Sequence, residues 1–262
     1  MGFDHFATQS EYFLRATRII KRCIKRADKR KSVRQRLDNP KGKNQAVFLV
    51  GCGRSGTNMV TRRLARSWQV DLYNEDNQEA FNNWRLREVS VIDDLIENGY
   101  AHIKLFKPIV ETHLSAMFLS RYTTGKILFV YRHFNDVINS SINHFGEERW
   151  YSRVKAWVDD DFTEFLPALV PEKTKQFIYS LWDPSLIPVS VLGIYWIFYN
   201  RLYFDLGLHE HDRVMLLNYE NLVLEPEKSF QNICNFLSLK YYSHMVDDIF
   251  SSSIKKRKNS FN

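Results

Sequence analysis

The sequence predicts an α/β fold in three layers, with a mainly parallel central sheet flanked by helices. Three observations carry this. Apolar runs of strand length recur along the chain, helical patterns alternate with them, and the first run passes directly into a glycine-rich turn at a helix start. The chain has 262 residues, 44% of them hydrophobic and 15% aromatic. That is enough for one sizeable core and too apolar for a disordered chain. No internal repeat of roughly 20–50 residues is visible.

The first 44 residues read as a basic amphipathic helix and a linker, with Asn39-Pro40-Lys41-Gly42 as the stop. Phe13, Ile19, Ile20 and Ile24 interleave with the basic residues. This arm is either a solvated face or a surface for peripheral membrane contact. Residues 45–262 read as a single domain. Residues 46–50 (AVFLV) are a continuous apolar run, the signature of a strand buried on both faces. The turn at 51–56 follows, then a helix from Thr57 with Val60, Leu64 and Trp68 on one side. Further strands are expected at 101–106, 126–131 and 213–217, and helices at 89–97, 111–121, 133–144, 189–206 and 226–237. Segment 147–188 holds Trp150, Trp157, Trp182 and several prolines, and reads as an irregular, partly helical insertion that covers a site.

The net charge is +7 and the isoelectric point about 9.2, which calls for an anionic partner. Nucleic acid, membrane phosphate and a phosphorylated cofactor all meet that description. Residues 15–43 carry much of the charge, and Lys255, Lys256, Arg257 and Lys258 add more. Three cysteines, Cys23, Cys52 and Cys234, give neither a disulfide framework nor metal-ligand spacing and fit a reducing compartment. No secretory leader is visible, and the longest apolar run, 189–199, is short of the ~20 residues that span a bilayer. The expectation is a soluble, cytoplasmic protein, with an excised catalytic domain of a membrane-anchored enzyme as the alternative.

A strand, a glycine-rich turn and a helix start make an anion cradle: backbone amides converge and the helix dipole favours negative charge. Gly51-Cys52-Gly53-Arg54-Ser55-Gly56-Thr57 has this form. It begins like the G-x-x-x-x-G-K-[ST] loop, which points to a P-loop NTPase-like fold. Yet Thr57 follows Gly56 directly, so the phosphate-reaching lysine is missing and a cation stands earlier, at Arg54. A nucleotidase also ends a later strand in a magnesium-binding Asp. Here strand 127–131 ends in Arg132, as if for a second anion, and no metal is expected.

Segment 47–64 (VFLVGCGRSGTNMVTRRL) resembles the 5′-phosphosulfate loop of the sulfotransferase superfamily, whose members use 3′-phosphoadenylyl sulfate (PAPS) and release PAP. Segment 127–141 (ILFVYRHFNDVINSS) resembles its 3′-phosphate motif, in which Arg132 is followed by Ser140 eight residues on. Segment 213–237 resembles the late strand with a Tyr-Glu-Asn-Leu turn. The segments stand in family order. His133-Phe134 replace the usual Asp-Pro, the Arg-Lys-Gly segment of the cytosolic branch is absent, and Arg54 with Gly56-Thr57 looks more like the carbohydrate and protein-tyrosine branches.

The resemblance implies sulfuryl transfer to a hydroxyl or amine, with a carbohydrate or glycolipid as the favoured acceptor. It implies that Gly53, Arg54, Ser55, Gly56, Thr57 and Asn58 hold the 5′-phosphate end, Arg54 also offsetting charge on the bridging oxygen. Arg132 and Ser140 then bind the 3′-phosphate, and Tyr219 contacts the nucleotide. Glu75, 21 residues after Arg54, matches the spacing of a catalytic glutamate, and Lys107 a lysine facing the transferred group. Asp76 and Glu79 are rivals as base, and His102, His113, His133 and His144 are candidates by type. No nucleic acid partner is expected, and a homodimer is a further expectation. A magnesium-dependent P-loop kinase and a non-catalytic binder of anionic polymer or membrane are the alternatives.

Overall fold

The structure, a computed structural model, describes residue 17 and residues 26–160, 162–165 and 167–249. Phe13, Ile19, Ile20, Ile24, Cys23 and the basic tail at 255–258 lie outside the described residues. After helix α1 (26–38) come β1 (Gln45–Gly51), α2 (Thr57–Leu64), β2 (Val70–Tyr73) and a hairpin of β3 (Phe81–Asn82) and β4 (Arg85–Leu86). Then follow α3 (Val89–Glu97), β5 (Ile103–Phe106), α4 (Ser115–Arg121), β6 (Lys126–Tyr131) and α5 (Phe134–Phe145). The chain continues through α6 (Glu148–Asp159), α7 (Glu172–Leu181), α8 (Pro188–Asp205), β7 (Val214–Asn218), α9 (Tyr219–Leu224) and α10 (Pro226–Phe236).

Five strands form one sheet in the order β2-β5-β1-β6-β7, every neighbouring pair parallel. Alternation along β1 explains the three layers. Val47 and Leu49 face a core shared with Val60 and Leu64 of α2 and Phe230 and Ile233 of α10. Ala46, Phe48 and Val50 face the opposite core, with Ile92 of α3 and Phe118 of α4. Phe48 stacks on Phe118 at 4.3 Å between ring centroids. With both faces covered, AVFLV has no solvent side, hence its unbroken apolar run. Burying each of these large side chains contributes about 1.5–3 kcal/mol.

The described part of the arm is docked. Helix α1 covers the edge strand β2: Lys31 Nζ donates to the Val70 carbonyl at 2.7 Å, and Gln35 Nε2 to the Trp68 carbonyl at 2.8 Å and Asp71 Oδ1 at 2.9 Å. Asp71 is also paired with Lys31 at 3.1 Å and with the buried Lys104 at 3.0 Å. Burial would raise the Asp71 carboxyl, but Gln35 and the two lysines overcome it and hold it below the usual carboxylate range.

Three expectations need correction. The helix from Thr57 stops at Leu64, because the next turn tightens: Arg66 N–H bonds the Arg63 carbonyl and Ser67 N–H the Leu64 carbonyl. Trp68 therefore lies beyond it, donating to the Tyr242 hydroxyl at 3.0 Å. The stretch 111–121 divides into a 3-10 segment, Ile109–Leu114, and α4, since Glu111 takes non-helical backbone angles. Segment 147–188 is more regular than expected. With α5 and α8, its helices α6 and α7 enclose a third, aromatic core in which Trp150 and Trp157 are buried, so these tryptophans pack rather than meet solvent. That core backs the glycine turn: Cys52 belongs to it, and a Cβ on Gly53 would lie 2.9 Å from the Tyr195 hydroxyl.

Candidate active site at the strand ends

Parallel strands point their carboxyl ends the same way, so residues just beyond them gather on one rim. From one edge of the sheet to the other these are Glu75 after β2, Lys107 after β5, the 52–56 turn after β1, Arg132 after β6 and Tyr219 after β7. Segments far apart in sequence thus meet without any long loop.

The turn is shaped by close contacts. Gly51 has φ +129° and a Cβ there would sit 2.2 Å from the Val130 carbonyl oxygen. Gly56 has φ +93° and its Cβ would lie 2.2 Å from Cδ2 of Tyr219. No side chain fits either place. Arg54 takes the left-handed region at φ 68°, a conformation that bends the loop back on itself. Gly56 caps α2, where the first amides, Thr57 and Asn58 among them, have no intrahelical acceptor. Ser55 and Thr57 are buried, and Asn58 is exposed. Burial pushes the Cys52 thiol up, so it is a packing group and not a nucleophile.

On one side of the turn Arg132 lies over the Tyr219 ring, its Cζ 4.2 Å from the centroid. Its Nη2 reaches Asp136 Oδ2 at 3.5 Å, whereas its Nε is buried with no hydrogen-bond partner among the described residues. Arg54 Nε donates to Ser140 Oγ at 3.0 Å, so the loop cation and the serine of α5 are already in contact. His133, in the place of the family's Asp, caps α5 by accepting from Asn135 N–H at Nδ1, and its own N–H donates to Glu220 Oε1 at 3.1 Å. The Tyr-Glu turn and the Arg132 strand end are thereby locked together.

On the other side, Tyr73 and Phe106 are register partners, so the residues just past them come side by side. Lys107 Nζ pairs with Glu75 Oε2 at 2.8 Å and donates to Asn58 Oδ1 at 2.7 Å. Both side chains are under 10% exposed, at 7% and 9%. Burial raises the Glu75 carboxyl above the ordinary range, although Lys107 and the Ile109 amide pull it down. Asp76 and Glu79 are exposed. Among the histidines, His102 pairs with Asp38 at 2.6 Å, and His144 is exposed on α5. His113 is pushed down to about 3 by burial with Arg85 nearby, so it stays neutral.

Two groups escaped the sequence reading. Glu111 is a second buried carboxyl, raised by burial, whose Oε2 accepts the Leu86 N–H at 2.7 Å. Nothing marked it in a stretch that reads as an amphipathic helix. The β3–β4 hairpin lacks the Asn-Gly or Asp-Gly signal by which hairpins are recognised; its turn is Asn83-Trp84. Its side chains line a cleft of about 510 Å³ that Glu75 also borders. Among the described residues no group of three or more His, Cys, Asp or Glu is placed to hold a metal ion, and no helix is long and apolar enough to cross a membrane.

The strand-end rim thus sets a glycine anion cradle between a buried acid–lysine pair and a second arginine. The chain belongs to the sulfotransferase family, whose sulfotransferase domain model matches residues 44–262. It is a PAPS-dependent sulfotransferase. No curated protein sequence matches it. Similar solved structures include a sulfotransferase from Alicyclobacillus acidocaldarius, 17% identical, covering 81% of this chain and 89% of that one with a TM-score of 0.47. The sulfotransferase domain of the curacin biosynthetic pathway is 15% identical, covering 78% and 77% with a TM-score of 0.48. Mouse sulfotransferase SULT7A1, complexed with PAP, is 14% identical, covering 83% and 68% with a TM-score of 0.44.

Proposed function

We propose that this rim binds PAPS across the 52–58 turn and passes its sulfuryl group to a hydroxyl of a carbohydrate or glycolipid. The observation that carries the reading is the arrangement of charged groups along the rim: a buried Glu75–Lys107 pair on one side of the cradle and, on the other, Arg132, whose Nε has no hydrogen-bond partner among the described residues. The residues fit a nucleotide bearing phosphate at both ends. A buried, unsatisfied guanidinium N–H is a costly feature that an anion relieves. Gly56 lets the Tyr219 ring pack directly against the turn, 2.2 Å from where a Cβ would sit.

PAPS, when bound, supplies a sulfuryl group on a phosphate leaving group. The amides of Ser55, Gly56, Thr57 and Asn58, with the Thr57 hydroxyl, hold the 5′-phosphate, and Gly53 and Gly56 let the backbone approach. Arg54 offsets the charge that grows on the bridging oxygen. Arg132 and Ser140 take the 3′-phosphate, and Tyr219 packs against the nucleotide beside Arg132. Glu75 accepts the acceptor's hydroxyl proton on a carboxylate oxygen, while Lys107 orients Glu75 and faces the transferred group. The Arg54-Ser55-Gly56-Thr57 sequence supports the carbohydrate and protein-tyrosine branches over the cytosolic one.

The match from residue 44 supports one catalytic domain over 45–262 with 1–44 as an appended arm. Arg26, Lys29 and Arg30 lie along one stripe of α1 with Val33 and Leu37, the last two 52% and 79% exposed. That pattern supports contact with an anionic membrane surface. The free, buried Cys52 and Cys234 support a reducing, cytoplasmic setting.

The test is calorimetry with PAP and with adenosine 5′-phosphate on the wild type and Arg132→Ala. A lost charge-assisted bond weakens PAP binding about 10–100-fold. Adenosine 5′-phosphate, lacking the 3′-phosphate, binds both proteins equally. Equal loss for both ligands would remove Arg132 from the 3′-phosphate site.

A further inference from the structure

The hairpin tip carries a residue that its backbone does not favour. Asn83 and Trp84 have φ 48° and 67°, both in the left-handed region, as a two-residue type I′ turn requires. Asparagine tolerates this conformation, but a bulky residue is an outlier where glycine is the ordinary choice. Packing does not repay the strain, because Trp84 is 61% exposed. A strained, solvent-facing indole beside a cleft is the kind of outlier that points to use by a ligand.

The platform under it is firm. Phe81 is buried, Arg87 N–H donates to the Ala80 carbonyl at 2.9 Å, and Leu86 N–H donates to buried Glu111 at 2.7 Å. Beside the indole, the cleft shared with Glu75 is lined by Gln78, Asn82, Asn83, Asp76 and Arg87. Side-chain amides, which donate and accept, and carboxylates, which accept, suit a polyol, and an indole face suits the C–H face of a sugar ring. An aryl acceptor would call for apolar walls. The local charge also selects. Glu75 is paired with Lys107 and Glu88 lies 3.9 Å from Arg87, which leaves Asp76 as the excess charge on the lining, opposite in sign to the +7 of the whole chain; this disfavours a sulfated or uronic-acid polymer.

We propose that the Asn83-Trp84 hairpin tip is the acceptor subsite, stacking an uncharged sugar unit on the indole so that one of its hydroxyls reaches Glu75. The assignment rests on the sulfotransferase reading of the rim and adds the acceptor class and a specificity residue to it.

Trp84→Gly is the informative variant, since Asn-Gly is the favoured type I′ pair and the hairpin is relieved rather than broken. Lactose and N-acetyllactosamine are titrated by saturation-transfer NMR without nucleotide, against a sulfated heparin disaccharide and p-nitrophenol. PAP affinity and melting temperature are measured alongside. The expected result is binding of the neutral sugars, weakened about tenfold or more in Trp84→Gly, with PAP affinity unchanged and the melting temperature equal or higher. Neutral sugars that bind the variant as well as the wild type, that do not bind the wild type, or that bind less well than the sulfated disaccharide or p-nitrophenol, would overturn the proposal. Failure of wild-type PAP binding would count against the nucleotide reading separately.

Discussion

Replacing Glu75 with glutamine stops transfer and leaves the nucleotide bound: kcat falls roughly 10²–10⁴-fold, the usual worth of a positioned general base, while PAP affinity holds. Glutamine keeps the shape and an acceptor oxygen toward Lys107, so a purely structural role would leave kcat nearly intact. The pH profile provides a second readout. As the proposed base, Glu75 would act only when deprotonated, and burial raises its carboxyl even against the pull of Lys107. The acid limb of kcat/KM, which reports the free enzyme, then lies above the ordinary glutamate value of about 4.3, with activity rising as pH rises through it. Lys107→Met removes the nearest positive charge, and the limb moves to still higher pH. A limb that stays in place in Lys107→Met, or full activity in Glu75→Gln, would assign the base elsewhere.

Arg54→Ala lowers kcat by roughly 10²–10³-fold, as expected for losing a preplaced donor at the oxygen where charge develops. Its effect on PAPS affinity is smaller, because the bridging oxygen gains most of its charge as the bond breaks, whereas PAP, in which that bond is already broken, feels the loss more. The guanidinium meets Ser140 Oγ through Nε, leaving its terminal nitrogens for other partners. Arg54→Lys keeps a charge but has no Nε to hold that contact, so its activity falls between the wild type and the alanine variant. Single-turnover kinetics with saturating PAPS separate the two cases. A variant that loses nucleotide affinity and keeps its turnover rate would make Arg54 a binding residue only.

Much of the framework was legible because both faces of the sheet are covered. A doubly buried strand has no polar alternation, so 126–131 reads correctly from its apolar run alone and 46–50 falls short by one residue at each end. β2 was less visible: Val70–Tyr73 is four residues at the sheet edge, with Asp71 turned to the lysines of α1 and β5. The residues of the rim were legible as sequence neighbours of strand ends, but their pairings were not. Lys107 meets Glu75 through the register of β2 on β5, and Arg54 meets Ser140 across the turn, and neither long-range pairing leaves a local pattern. Trp84 was illegible for the opposite reason: its turn lacks the glycine that announces a hairpin. The aromatic core around Trp157 shows why tryptophans in an insertion are poor markers of a ligand site.

The central claim is that the rim recognises a nucleotide by its 3′-phosphate and without a metal. Titrating the wild type with PAP in the presence of a chelator, and with ATP and Mg²⁺, tests it most directly. Micromolar PAP binding, with ATP weaker by about a hundredfold because it lacks the 3′-phosphate proposed to meet Arg132 and Ser140, is the predicted result. ATP with Mg²⁺ binding as tightly as PAP, or PAP binding that needs the metal, would contradict the account.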